Sequence, residues 1–214
     1  MKFIGIDLTS AFAIKPRPVD IAVLDDRRRV TFFQVDWPGA EVVMRRDARF
    51  LTQALLARTP LERGERMVLA IDGPQGLAAH NNSRRACERI LGTPGRTPST
   101  LPAAEENGVP FQGYIRSSID LFAGLVGAVP AWPLAGLPGV REDEAGLWEV
   151  FPGAEWRVLA GRMLPAKTSD EGRRKRQALF EADDVQFQSR KLPTADQNDA
   201  LIGAYLAWCV HHRR

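Results

Sequence analysis

Five short apolar runs along the chain have the length and composition of buried β-strands. They cover residues 3–7, 19–24, 30–35, 67–71 and 147–151. Runs of this length that are rich in Ile, Val and Phe and bounded by charged or turn residues are typical of strands. The charged stretch 25–29 separates the second run from the third as a hairpin turn would. We therefore expect the first three strands to form an antiparallel meander.

Helical spacing of apolar residues replaces this pattern over 42–58, 83–91, 115–129 and the C-terminal segment 199–209. The C-terminal helix has the clearest start, because Thr194 and Gln197 fit the S/T-x-x-E/Q capping box directly after Pro193. This segment is apolar almost all round, so the helix should pack deep against the sheet. The arginines within 42–58 are interpreted as a solvated face.

Proline is concentrated in the middle of the chain. Seven of the 15 prolines lie between Pro94 and Pro138, and proline interrupts regular elements. We therefore predict that residues 80–139 are an irregular insertion between the fourth and fifth strands. The chain is expected to be one domain, 1–214, with the element order β-β-β-α-β-insertion-β-α.

Composition narrows the classes of function only slightly. The chain has 29 basic and 26 acidic residues, a formal charge of +3. This net charge weakly favours an anionic partner, but it is small for a nucleic-acid-binding protein. Cys87 and Cys209 lie far apart and outside a C-x-x-C spacing, which argues against a zinc site or a disulfide framework. No signal peptide and no apolar run of ~18 residues is recognisable, so we expect a cytoplasmic protein with no membrane partner.

Carboxylates recur where the predicted strands end and on the last helix. Asp7 follows the first strand, Asp72 follows the fourth, and Glu149 lies within the fifth. Asp196 and Asp199 are three residues apart and so share one helix face. Each acid taken singly is explained by a structural role, such as in a turn or at the start of a helix. Their recurrence, however, predicts a shared site. Gathered carboxylates repel unless a cation binds them, and oxygen donors without a His or Cys cluster suit Mg²⁺ or Mn²⁺.

Four segments resemble those of the DUF429 family, whose members are predicted to be nucleases with a ribonuclease H-like fold. The segments are GID at 5–7, AIDGP at 70–74, EVFP at 149–152 and DALIGA at 199–204. The family also carries basic residues where this chain has 84–88 and 172–176. The D-x-x-D formed by Asp196 and Asp199 resembles the last-helix signature of Holliday-junction resolvases of the RuvC type.

This resemblance implies an α/β, ribonuclease H-like fold. Its core would be a five-stranded mixed sheet of order 3-2-1-4-5, flanked by helices, with strands 1 and 4 as parallel neighbours. The implied activity is hydrolysis of phosphodiester bonds by two Mg²⁺ or Mn²⁺ ions, which activate water and stabilise the leaving oxygen. The residues assigned to the ions are Asp7, Asp72, Asp196 and Asp199, of which Asp7, Asp72 and Asp199 would be catalytic.

The resemblance also suggests roles for residues around these acids. Glu149 would be an accessory metal ligand or would orient a basic neighbour. Phosphate contacts are assigned to Arg84, Arg85, Lys167 and Arg176. The substrate would be a nucleic acid or a small phosphoester.

Two other functions compete with a metal-dependent nuclease or phosphodiesterase. One is a non-catalytic ribonuclease H-like binding module that keeps the acids for structural reasons. The other is a nucleotide-binding protein of the actin and sugar-kinase group, whose first phosphate loop resembles residues 5–10. That architecture needs two such domains, which 214 residues do not supply.

Overall fold

The computed structural model describes residues 1–13, 15–37, 53, 57–58, 65–101, 111–128, 133–136, 138–141 and 144–212. The strands are β1 (Lys2–Asp7), β2 (Val19–Asp25), β3 (Arg29–Val35), β4 (Met67–Asp72), β5 (Leu147–Val150) and β6 (Gln186–Phe187). The helices are α1 (Ala86–Leu91), α2 (Gln112–Ala128), α3 (Pro152–Ala160), α4 (Asp170–Ala182) and α5 (Ala195–His212). The predicted helix over 42–58 lies outside the described residues, except that 53, 57 and 58 are helical.

The described strands form one mixed sheet with the order β5-β4-β1-β2-β3-β6. β1, β2 and β3 are an antiparallel meander, as predicted, and β4 and β5 continue the sheet parallel to β1. The prediction of five strands is wrong, because β6 pairs in parallel with β3 through only two residues. A strand of two residues is too short to produce an apolar run or an alternating pattern.

Helices cover both faces of this sheet, so the α/β prediction is confirmed at the level of a mixed sheet flanked by helices. Ile4 and Ile6 of β1 share one buried cluster with Phe122 of α2. Phe3 points to the opposite face, where it shares a cluster with Leu201 of α5 and with residues of α3 and α4. Successive side chains of a strand alternate between faces, which explains why all three are buried. Among the described residues, no helix combines the length and hydrophobicity needed to cross a membrane.

The helix predicted over 115–129 is present as α2, but the prediction of an irregular insertion over 80–139 is wrong for residues 112–128. This segment is a 17-residue helix, α2, and Leu121, Phe122 and Leu125 bring it into the sheet's core. The prolines lie on either side of it, and none falls between Pro110 and Pro130. The prolines therefore flank the helix that the apolar spacing predicted and do not interrupt it.

The close packing of α5 on β1 places the last helix beside the ends of the parallel strands. A Cβ added at Gly5 would lie 1.7 Å from the backbone oxygen of Ala200, so only glycine permits this approach. The predicted capping box at the helix start is confirmed: the Gln197 amide donates to Thr194 Oγ1 at 3.1 Å, and the Thr194 amide donates to Gln197 Oε1 at 2.9 Å. Helix α5 therefore begins at a fixed position beside Asp7.

Candidate active site

Asp7 and Asp72 lie side by side at the carboxyl ends of two parallel strands. They are register partners in the β1–β4 pair, and the charge of Asp72 contributes to the raised pKa of Asp7. Asp7 is only 6% exposed. The sequence prediction that these two acids share a site agrees with this placement.

Helix α5 adds the acidic pair from the neighbouring layer. Asp199 is 5% exposed, and its Oδ1 accepts a hydrogen bond from Trp156 Nε1 at 2.8 Å. Its Oδ2 lies 2.5 Å from Lys167 Nζ. Asp196, one turn earlier, pairs with Arg17 at 2.9 Å and lies 3.9 Å from Lys167 Nζ. Lys167 therefore bridges the two acids of this helix.

The protonation of the site reflects burial and crowding of like charges. Burial raises the pKa of Asp7 to about 9, and the charges of Asp72, Asp199 and Asp196 raise it further than the Lys167 ammonium lowers it. Burial also raises the pKa of Asp72 to about 7, with a further contribution from the charge of Asp199. Near neutral pH the site therefore retains a proton that a bound cation would displace.

Tyr114 supports this pair from α2. Its hydroxyl donates to Asp72 Oδ1 at 3.1 Å. Burial and then the charge of Asp72 raise the pKa of Tyr114 well above its usual value, so the phenol stays neutral and acts as a donor. The hydrogen bond in turn lowers the pKa of Asp72. Tyr114 thus fixes the orientation of one carboxylate and favours its ionised form.

The acids lie in a cleft of about 690 Å³. Its wall includes β1, β4 and β5 ends, the start of α2, α3, the segment 163–167 and the start of α5. Of the predicted site residues, those that line the cleft are Asp7, Asp72, Arg85, Glu149, Lys167, Arg176, Asp196 and Asp199. Arg84 does not line it, and its Nη2 donates instead to the Thr93 backbone oxygen at 3.1 Å.

Glu149 is held by Arg85 in an ion pair of two parallel hydrogen bonds. Arg85 Nη1 donates to Glu149 Oε2 at 2.7 Å, and Nη2 donates to Oε1. Glu149 Oε2 also accepts from the Gln75 backbone amide at 3.0 Å. A charged residue within an apolar strand requires such a partner. In this arrangement Glu149 positions a basic neighbour, which is one of the two roles suggested from the sequence.

Arg176 is a mostly buried residue of the cleft wall and supports that wall through its contacts. It is 7% exposed, its Nη1 donates to the backbone oxygens of Pro165 and Gly172 at 3.0 Å, and its guanidinium lies 5.3 Å from the Trp156 ring centroid. Burial lowers the pKa of Arg176. These contacts stabilise the segment that carries Lys167 and the indole that holds Asp199.

Three residues that contact the acids were not identified in the sequence. Trp156 carried one available signal, because a buried indole N–H usually requires an acceptor. Tyr114 and Arg17 carried none, because each meets its acid only through the fold: Tyr114 is 42 residues from Asp72, and Arg17 is 179 residues from Asp196. Their side chains complete the charge and hydrogen-bond balance of the site.

The carboxylates of the cleft are the donor set that a divalent cation would meet. Across the described residues, no group of three or more His, Cys, Asp or Glu side chains stands ready to hold a metal ion. Lys167 Nζ occupies one oxygen of Asp199, and the raised pKa values of Asp7 and Asp72 favour a protonated form of this pair. The available donors are carboxylate oxygens, which suit Mg²⁺ or Mn²⁺. The residues fit such an ion once the proton leaves and Lys167 releases Asp199.

Glu155 lies close enough to the acids for their charges to affect its pKa. Its Oε1 accepts from the Phe151 amide at 3.1 Å, whereas Oε2 is buried with no hydrogen-bond partner in the part of the chain that the structure describes. Burial raises the pKa of Glu155 to about 8, and the charges of Asp72 and Asp199 contribute. Glu155 is therefore a destabilising group when ionised.

Glu155→Gln should stabilise the protein at alkaline pH. The folded-state pKa is above the unfolded one, so this residue lowers the free energy of unfolding as pH rises from about 4.5 to about 8. Removing the charge should raise the free energy of unfolding by about 1–2 kcal/mol near pH 8 and by less near pH 5. Urea unfolding at both pH values measures the difference, with the exposed Glu171→Gln as the control. An equal effect at the two pH values would contradict it.

A scan against protein-family models, a search of curated proteins and a search of solved structures each found no match to this chain. Function is therefore inferred from the chemistry of the cleft and from the sequence resemblance.

Proposed function

We propose that this protein is a Mg²⁺- or Mn²⁺-dependent phosphodiester hydrolase of the ribonuclease H-like type. The observation that carries the proposal is the meeting of Asp7, Asp72 and Asp199 at the base of one cleft. These acids come from two parallel strands and the last helix, and burial and mutual repulsion hold a proton among them. A multivalent cation would bind such a cluster favourably, because it relieves the repulsion between the carboxylates.

The architecture supports the same proposal. An antiparallel meander continues into parallel strands, and the last helix packs on the first strand, which is the arrangement that the DUF429 resemblance implies. The order β3-β2-β1-β4-β5 occurs within the sheet, with β6 added at the β3 edge. The acids stand at the carboxyl ends of β1 and β4, where ligands commonly bind in sheets of this kind.

The proposed ligands for the ions are Asp7, Asp72 and Asp199, with Asp196 beside them. Bound Mg²⁺ or Mn²⁺ would supply a water of lowered pKa and charge stabilisation for the leaving oxygen. Tyr114 and Trp156 keep one carboxylate each in a fixed orientation. Glu149 keeps Arg85 against the cleft wall, where the guanidinium can contact a phosphate oxygen.

Lys167 has two successive partners in this proposal. Without a cation its ammonium neutralises Asp199 at 2.5 Å. When the carboxylate binds an ion, the ammonium is free to contact the substrate phosphate, since the Lys167 side chain is half exposed and lines the cleft. The charge of Asp199, followed by those of Asp7 and Asp196, outweighs burial and raises the pKa of Lys167, so it remains charged in the cation-free protein.

Cation binding and hydrolysis test this function directly. Isothermal titration calorimetry with MnCl₂ should show saturable binding, and the same ion should support hydrolysis of bis(p-nitrophenyl) phosphate. A panel of single-stranded and duplex DNA and RNA then defines the natural substrate class. Saturable binding that is equally strong in Asp7→Asn, or no hydrolysis of any phosphodiester with either ion, would contradict the proposal.

A non-catalytic binding module is the second candidate, favoured by the Lys167–Asp199 contact. An internal ammonium already neutralises the helix acid, so the cluster is tolerated without an ion. A module of this kind should show no saturable Mn²⁺ binding, which separates it from the hydrolase in the same titration.

Lys167→Met should bind Mn²⁺ about tenfold more tightly while hydrolysing bis(p-nitrophenyl) phosphate about tenfold more slowly. The first effect arises because the ammonium no longer competes for Asp199, and the second because a phosphate contact is lost. Calorimetry and steady-state kinetics measure them separately. Lys175→Met is the matched control, because Lys175 pairs with Glu171 on the exposed face of α4. Weaker Mn²⁺ binding in Lys167→Met would overturn the exchange of partners.

A further inference from the structure

The depth of the acids limits what can reach them. Asp7 and Asp199 are 6% and 5% exposed, and they face a cleft of about 690 Å³. This volume is in the range of pockets for small molecules, about 300–1,000 Å³. A phosphodiester within a base-paired duplex is surrounded by the bulk of two strands, whereas an unpaired nucleotide can enter such a cleft.

The basic residues of the described cleft wall are already engaged. Each one donates to an acid or a backbone oxygen of the protein: Arg17 to Asp196, Arg85 to Glu149, Arg157 to Gly153 and Leu91, Lys167 to Asp199, and Arg176 to Pro165 and Gly172. Proteins that bind long polyanions neutralise many phosphates with available Lys and Arg side chains. The described wall instead suits a substrate with few phosphates.

Phe111 is an unusual residue at the mouth of this cleft. Its side chain is 47% exposed, and its backbone has φ 68°, in the left-handed region that a bulky residue rarely adopts. It precedes α2 with the spacing i, i+3, i+4 to Tyr114 and Ile115, and all three line the cleft. Because all three residues line the same cleft, Phe111 lies on the same side as the tyrosine that holds Asp72.

The start of α2 lies against the loop that follows β1. The Ala11 amide, in the loop after β1, donates to Ser117 Oγ at 3.0 Å. A Cβ at Gly113 would lie 2.6 Å from Ser10 Oγ, so the helix start and this loop are in close contact. Backbone strain and the exposure of an apolar side chain are both unfavourable, and both occur at this aromatic residue beside the acids. Such combinations are found at sites that bind a ligand.

We propose, on the basis of the hydrolase function above, that the substrate is a phosphodiester carrying an unpaired nucleotide whose base stacks on Phe111. Stacking on an aromatic ring accepts any base, because every base has a π-face. The phosphate next to that nucleotide then lies toward Asp7 and Asp72. Hydrolysis adds one water across a single P–O bond and yields a nucleoside monophosphate and an alcohol. The substrate is a free dinucleotide or the end of a single strand.

Two chromogenic esters with the same leaving group isolate the contribution of the base. Thymidine 5′-(p-nitrophenyl) phosphate carries a base, methyl p-nitrophenyl phosphate does not, and both release p-nitrophenol when water adds to phosphorus. In the Mn²⁺-loaded protein, Phe111→Asn should lower kcat/KM for the thymidine ester about tenfold more than for the methyl ester. Phe111→Trp keeps a ring and should retain the wild-type ratio.

A loss of activity in Phe111→Asn should not come from misfolding. Asn adopts a left-handed backbone more readily than Phe, so Phe111→Asn should unfold at the same or a higher temperature. Ile90→Ala is the matched control, because Ile90 is 84% exposed and does not line the cleft. An unchanged ester ratio in Phe111→Asn would overturn the stacking proposal.

Binding of the product tests the same contact without catalysis. Titration with thymidine 5′-monophosphate should be about tenfold weaker in Phe111→Asn than in the wild type, while titration with inorganic phosphate is unchanged. If neither ester is hydrolysed, the hydrolase function fails and this titration still decides the role of Phe111. The rate of pTpT cleavage, compared with the rate of cleavage at the end of a single-stranded oligonucleotide, distinguishes a free dinucleotide from a strand end as the substrate. Internal cleavage of a linear duplex at a comparable rate would overturn the proposal.

Discussion

Replacing Asp7 with Asn should reduce Mn²⁺-dependent hydrolysis of bis(p-nitrophenyl) phosphate by about 10²–10³-fold or more. Asp7 is the most buried acid at the strand ends and is the register partner of Asp72. Asn keeps the size and one oxygen of the side chain but cannot become an anion, so the charge that attracts a divalent cation is lost. The measurement is kcat/KM at saturating MnCl₂, with Mn²⁺ affinity from calorimetry as a second readout.

Asp20→Asn is a matched control for this prediction. Asp20 is the register partner of Asp7 on β2 and is equally buried, at 6% exposure. It accepts from Gln34 Nε2 at 3.1 Å and does not line the cleft. Its replacement removes a buried aspartate beside the site and should leave hydrolysis near the wild-type rate. Wild-type hydrolysis by Asp7→Asn would rule out the proposed role of Asp7 in cation binding.

The same Asp7→Asn change should make the cation-free protein more stable at neutral and alkaline pH. Burial, with the charges of Asp72, Asp199 and Asp196, raises the pKa of Asp7 to about 9 from an unfolded value near 4. Between these values the folded state binds a proton that the unfolded state lacks, so the free energy of unfolding falls as pH rises. Asn removes this dependence and should add about 1–3 kcal/mol near pH 8.

Urea unfolding in EDTA across about pH 5 to pH 8.5 measures this effect. The wild type should lose stability steadily over the range, and Asp7→Asn should show a smaller slope. Saturating Mn²⁺ should also flatten the wild-type slope, because the ion stabilises the ionised carboxylates. If Asp7→Asn were less stable than the wild type near pH 8 in EDTA, Asp7 would be a structural hydrogen-bond partner and the repulsion at this site would be insignificant.

Much of the framework was predictable because it depends on neighbours in the chain. The five main strands begin and end within one residue of their predicted positions, since each is a local apolar run with polar ends. The start of α5 was predictable because a capping box involves only residues 194–197. Strand periodicity also placed Asp7 and Asp72 at strand ends, where the parallel pairing of β1 and β4 brings them together.

The core position of α2 and the strand β6 show why local patterns were insufficient elsewhere. The apolar spacing predicted a helix over 115–129, but the prolines around it led to the prediction of an irregular insertion, whereas the helix forms one layer of the core. Strand β6 exists because the chain after α4 passes beside β3 and pairs through Arg29 and Val30. Neither feature is a property of the segment's own average composition.

The sequence alone determined which acids stand at the ends of elements, since an element's end is set by the residues around it. Only the tertiary structure decided which partners neutralise the acids or donate hydrogen bonds to them. Lys167 meets Asp199 across 32 residues, Tyr114 meets Asp72 across 42, and Arg85 meets Glu149 across 64. The physical reason is that the free energy of a charge depends on burial and on every nearby partner, and both are set by packing between distant segments.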